Sequence, residues 1–158
     1  MSQSRAGIDL ETSVGYLLKE ASSALRLAME AALRPFGMTI THYSCLELLA
    51  QRPGLSNSQL ARGTFVTRQS MNVLLQSLER DGLVQRAEQP SSGRAIPTRL
   101  TDRGREQLRA ASAAVKAVED RMVAGLDGDD RARFADMLRR CVSSLGSPAA
   151  RDSGDPSA

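Results

Sequence analysis

The chain has 158 residues, 41% of them apolar and 25% charged, which suits one compact domain with helical extensions. Only 3% are aromatic and the net charge is +3, so the core must be built from Leu, Ala, Val and Met, and the charge total alone does not point to nucleic acid. Short apolar runs, no apolar stretch in Met1–Asp9 and only two cysteines, Cys45 and Cys141, exclude membrane, secreted and disulfide-framework classes and lead us to expect a cytoplasmic protein.

Residues 1–9 are expected to be a flexible N-terminus. From Leu10 to Arg34, Val14, Leu17, Ala21, Leu25 and Ala28 recur at helical spacing, and Pro35-Phe36-Gly37 ends the pattern. Thr39 is a fitting cap for a second helix, which carries Tyr43, Leu46, Leu49 and Ala50 to Gln51 before Pro53-Gly54 stops it. Ser56 and Gln59 have capping-box spacing at the head of a short helix with Leu60 and Ala61 on its apolar side, broken at Gly63-Thr64. Thr67 caps the next helix, which runs to Asp81 over a buried stripe of Met71, Leu74, Leu75 and Leu78 and terminates at Gly82.

After Gly82 the period changes. Leu83–Glu88 reads as a strand, Gln89–Gly93 as a turn, and Arg94–Leu100 as a returning strand. Pro97 cannot donate to a ladder, so that strand must lie at an edge or end early. Thr101 caps a long helix to about Gly125, with Leu108, Ala111, Val115, Val118 and Met122 in a heptad-like stripe. A last helix from about Asp129 carries Phe134, Leu138, Cys141 and Leu145 to Gly146. Residues 147–158, rich in Ser, Pro, Gly, Ala and Asp, are expected to be disordered. The expected fold is mainly α with a small β-wing.

Two short helices joined by a tight turn let the second project outward, as a groove-reading helix must. Opposite the leucine stripe, that second helix shows Gln69, Asn72, Val73 and Gln76. Gln and Asn can pair two-pronged with adenine, and valine methyls can meet a thymine methyl. Arg68 can reach guanine or phosphate, and Thr67 and Ser70 stand where free amides favour a phosphate, as Ser56 does on the preceding helix. Any amphipathic helix has a solvated face, but such a face is usually rich in paired Glu and Lys. Here uncharged amides and hydroxyls fill the first turns, and acids wait until Glu79 and Asp81.

The segments Thr39–Leu49, Ser56–Ala61, Phe65–Met71, Leu78–Val84 and Leu100–Gly104 together resemble the MarR family of bacterial regulators, over roughly Leu10 to Gly146. The resemblance implies a winged helix-turn-helix over residues 39–100, long dimerisation helices over 10–35 and 101–146, and a homodimer on a pseudo-palindromic operator in double-stranded DNA. It makes Thr67–Asp81 the recognition helix and Leu83–Leu100 the wing, with Arg94 at its tip entering the minor groove. There the negative potential favours a guanidinium, although a solvated loop cation is the alternative. Two departures stand out: Ser92 replaces an acid usual two positions before the wing arginine, and the common Leu-Gly-Val-Thr turn reads Thr64-Phe65-Val66-Thr67.

The terminal helices have more apolar surface than one wing domain can cover. Leu17, Leu108, Val115, Val118, Phe134 and Leu138 are therefore expected at a dimer interface, with packing inside the chain as the alternative. Tyr16, His42 and Tyr43 are candidates to line a cleft for a small aromatic effector, which the resemblance also implies, with an exposed or capping residue as the alternative for His42 and a core residue for Tyr43. Cys45 and Cys141 read as buried structural thiols, since a sensor needs an accessible low-pKa thiolate and the family's peroxide-sensing cysteine position is near Gly15. A lone histidine and no phosphate loop leave no catalytic set, so neither an enzyme, a metal site nor a cofactor is expected.

Overall fold

The structure is a computed structural model that describes residues 7–86 and 97–146. The wing tip, Arg94 included, the first six residues and the tail over 147–158 lie outside the described residues. Helix α1 spans Val14–Leu33, a 3-10 turn follows at Arg34–Phe36, and α2 spans Ile40–Gln51. Helices α3 (Asn57–Thr64) and α4 (Arg68–Arg80) follow, then strands β1 (Val84–Arg86) and β2 (Thr98–Leu100). Helices α5 (Asp102–Met122) and α6 (Gly128–Leu145) complete the chain.

The caps read from the sequence set most of these starts. Thr39, Ser56, Thr67 and Thr101 each accept a backbone N–H three residues on, and α2 and α3 have complete capping boxes. α1 begins later than Leu10, because Ser13 takes the cap and accepts from the amide of Tyr16. β1 and β2 are antiparallel, pairing Val84 with Leu100 and Arg86 with Thr98. β2 starts just after Pro97, and Thr98 N–H donates to the carbonyl of Leu55, tying the wing base to the loop before α3.

One core holds the lobe together. Cys45, Leu46 and Leu49 of α2 pack with Leu60 and Ala61 of α3 and with Met71, Leu75 and Leu78 of α4. Leu83, Val84 and Leu100 close it from the wing, and Leu108, Ala111 and Val115 from α5. Helix α3 does not break at Gly63-Thr64. It runs through both residues, and Thr64 Oγ1 donates back to the carbonyl of Leu60 at 2.8 Å. Gly63 is there for space: a Cβ would come within 2.6 Å of Leu48 Cδ1. The turn itself is made by Phe65, which adopts the left-handed conformation at φ 61° that glycine takes more easily.

The α5 stripe corrects one expectation. Leu108, Val115 and Val118 are buried within their own chain, where α5 packs along α1 and α2, so they do not face a partner. Periodicity marks an apolar face but not whose surface covers it. The uncovered apolar surface lies elsewhere. Leu17 of α1 is 45% exposed, Phe134 of α6 is 39% exposed, and Leu138 is half-buried. Among the described residues, no residue of α6 is buried.

Candidate nucleic-acid interface

Helix α4 turns Met71, Leu75 and Leu78 into the core, and this fixes what its other side shows. Arg68, Gln69, Ser70 and Gln76 are exposed, and Val73 is 61% exposed, a large value for a β-branched apolar residue. Such a methyl surface, flanked by amides, is what a groove with thymine methyls accepts. At the helix start, Thr67 Oγ1 accepts from the amide of Ser70 at 3.1 Å and its hydroxyl lies 2.9 Å from Ser70 Oγ. Both hydroxyls therefore sit at the start of α4, beside the amides of Arg68 and Gln69. Ser56 is half-buried at the start of α3, its oxygen accepting from Gln59 N–H. The structure brings Thr67, Arg68, Gln69, Ser70, Val73 and Gln76 onto one solvent-facing surface.

Asn72 differs from its neighbours. It is half-buried, and its Oδ1 accepts from both terminal nitrogens of Arg86 at 3.5 Å. With its oxygen turned to Arg86, Asn72 offers the NH2 end of its amide more freely than the oxygen that the two-pronged adenine contact expected from the sequence would also use. Arg86 also places Nε 3.6 Å from Glu79 Oε2. Sequence reasoning passed over Arg86. The signal was available, because strand alternation puts Arg86 on the face of Val84, which is buried, and a cation turned inward needs a partner.

The candidate effector residues do not converge. Tyr16 is exposed on α1. Tyr43 is half-buried and donates its hydroxyl to Ser112 Oγ at 3.3 Å, and Ser112 donates to Glu47 at 3.1 Å. Burial raises the Tyr43 pKa, partly offset by the Ser112 hydrogen bond and reinforced by the charge of Glu47, so the phenol stays neutral and links α2 to α5. His42 completes the α2 capping box, its Nδ1 accepting from the Thr39 amide at 3.1 Å. Burial lowers its pKa, against an opposing pull from Asp81, which favours a neutral ring protonated on Nε2.

Two clefts flank this region. The larger, about 580 Å³, lies between α1 and the start of α2, with Arg26, Arg34, Met38 and Ile40 in its lining. Arg26 is already paired with Glu30 at 2.8 Å, whereas Arg34 is on the rim of that cleft without a carboxylate in salt-bridge range among the described residues. The smaller, about 240 Å³, is lined by His42, Asp81, Arg103 and Gln107 among others. Tyr16 and Tyr43 line neither.

Cys45 is fully buried, and desolvation pushes its thiol up to about 12. It stays protonated at neutral pH, the opposite of what an oxidation sensor requires. Cys141, expected to be buried, is instead exposed, because α6 has no buried residue within its own chain. Among the described residues, no group of three or more His, Cys, Asp or Glu is placed to hold a metal ion, and no helix is long and apolar enough to cross a membrane.

Residues 36–95, which span α2 to β1 and stop short of β2, match the MarR family profile. The HTH-type transcriptional repressor Rv2887 of Mycobacterium tuberculosis is 41% identical over 137 residues, which cover 87% of this chain and 99% of that protein. The crystal structure of Rv2887 in complex with DNA is 39% identical over 86% of this chain and 99% of its own, with a TM-score of 0.69. Its complex with salicylic acid is 42% identical over 82% and 96% of the two chains, with a TM-score of 0.67.

Proposed function

The chain belongs to the MarR family, and on that premise we propose that it is a homodimeric transcriptional repressor, held on a pseudo-palindromic operator and released by a small aromatic carboxylate or phenol. The observation that carries this reading is the outward face of α4, where amides, hydroxyls and a bare valine stand over a leucine ridge and acids are absent before Glu79.

In this reading each α4 enters a major groove. Thr67 and Ser70 hold a phosphate with the first-turn amides, Arg68 reaches guanine or phosphate, and Gln69, Val73 and Gln76 meet base edges. Ser56 at the head of α3 contacts the backbone, and Arg94 reaches the adjacent minor groove. Leu17, Phe134 and Leu138 pack on a second copy, which sets two α4 helices one helical turn apart. The protein acts in the cytoplasm, where its DNA is, and has no catalytic role.

Release follows from a population shift. An effector in the clefts beside α2 stabilises dimers whose recognition helices are wrongly spaced for successive grooves. Arg34 is suited to receive an effector carboxylate at the larger cleft and His42 lines the smaller one, whereas Tyr16 and Tyr43 lie outside both. The salicylic acid complex of Rv2887 supports the ligand class.

The test is fluorescence titration of duplexes enriched from a randomised pool, over a range of salt and with salicylate added. The logarithm of affinity should fall steeply and linearly with the logarithm of salt, as counterion release requires, and salicylate should weaken binding. Gln69→Ala should cost roughly tenfold on the enriched duplex and relax base preference, while a random duplex is little affected. Equal losses on both duplexes would defeat the readout role, and a chain that enriches nothing would defeat the DNA reading.

A further inference from the structure

Arg86 does more than fill the edge of the wing. Its side chain is only 22% exposed, and Nε is buried without a hydrogen-bond partner among the described residues, its compensation being Glu79 at ion-pair distance. The terminal nitrogens reach Asn72. Asn72 and Glu79 are two turns apart on one side of α4, so a single guanidinium grips two turns of that helix from β1.

We propose that Arg86 is a positioning residue that fixes which half of the Asn72 amide faces DNA, and thereby biases the base pair under Asn72 toward guanine. A guanidinium carries donors only, so the amide atom turned to it must be the oxygen. The NH2 group is then the free end. A free asparagine reads adenine by accepting from N6 and donating to N7. A tethered one turns its oxygen toward Arg86 and leads with its NH2 donors, and guanine presents two acceptors, N7 and O6, in the same groove. Glu79 draws the guanidinium toward the far turn and stops it from swinging into the groove itself. The inference rests on α4 being the groove-entering helix.

Duplexes enriched from a randomised pool by the full-length protein, Asn72→Ala, Arg86→Ala and Arg86→Lys decide the matter. The base pair read by Asn72 is the one whose preference collapses in Asn72→Ala. There the unmodified protein should favour guanine over adenine by about tenfold, and 7-deazaguanine at that position should lower affinity by a similar factor. Arg86→Ala should bring adenine to parity or better, and should add nothing to the preference already lost in Asn72→Ala. Arg86→Lys, also a pure donor, should keep guanine ahead. A merely structural role would weaken all duplexes alike and leave the preference intact, which would overturn the proposal, as would an adenine preference in the unmodified protein or an Asn72→Ala that changes no position. If Arg86→Ala does not fold, the 7-deazaguanine result and the lysine variant decide. A pool from which the unmodified protein enriches nothing overturns the DNA reading and this one with it.

Discussion

Replacing Phe134 and Leu138 together with aspartate is expected to yield monomers and to lower affinity for a two-half-site duplex by roughly 1,000-fold or more. Helix α6 is an 18-residue helix none of whose residues is buried in its own chain. Helices in proteins owe most of their stability to packing of an amphipathic face, so the apolar side of α6 must find cover outside the chain. Phe134 and Leu138 are one turn apart and would sit together in that cover. Carboxylates there carry a desolvation cost when that surface is covered. The core of α2, α3 and α4 does not include these positions, so the lobe should stay folded. One α4 then contacts only a few base pairs, and affinity drops toward the non-specific level. Sedimentation equilibrium and a duplex titration check both halves. A variant that remains dimeric, or a monomer that binds the two-site duplex as tightly as before, contradicts the account.

Gly104→Ala is expected to cost about 3 kcal/mol or more, a large share of a typical domain's stability. Gly104 is buried in the first turn of α5, and a Cβ there would run into the backbone carbonyl of Leu83. That carbonyl cannot step aside easily. It accepts from the amide of Thr101 at 3.1 Å, and Thr101 Oγ1 donates to the carbonyl of Gly82 at 2.6 Å. The obstacle is thus the stitched junction of α4, β1 and α5. Gly63→Ala is the control, because its clash is with Leu48 Cδ1, the far end of a flexible side chain, and should cost about 1 kcal/mol. Urea unfolding of the two variants should give a lower midpoint for Gly104→Ala with the slope unchanged. A midpoint for Gly104→Ala at or above that of Gly63→Ala would contradict the packing argument.

What could be read in advance depended on how local the cause was. Thr39, Ser56, Thr67 and Thr101 act within one turn, so the starts of α2, α3, α4 and α5 were legible. The ridge of Met71, Leu75 and Leu78 fixed the face of α4 for the same reason, and the exposed surface followed by subtraction. Features set by a distant contact were not. Gly63 looks like a breaker until Leu48 is brought against it, and the helix turn falls instead on Phe65. Leu108, Val115 and Val118 form the same stripe whether the cover is α1 or another copy. The partnership of Arg86 with Asn72 joins residues 14 apart through the wing, and only the folded chain shows that it holds the amide oxygen.

The central claim is that two copies of the surface from Thr67 to Gln76 lie in successive major grooves, and dimethyl sulfate footprinting on an enriched duplex tests it most directly. The account predicts two patches of protected guanine N7, about 10 base pairs apart on one face of the duplex, with protection lost from both patches in Gln69→Glu. A single patch, or N7 positions left as reactive as in free DNA, would contradict it.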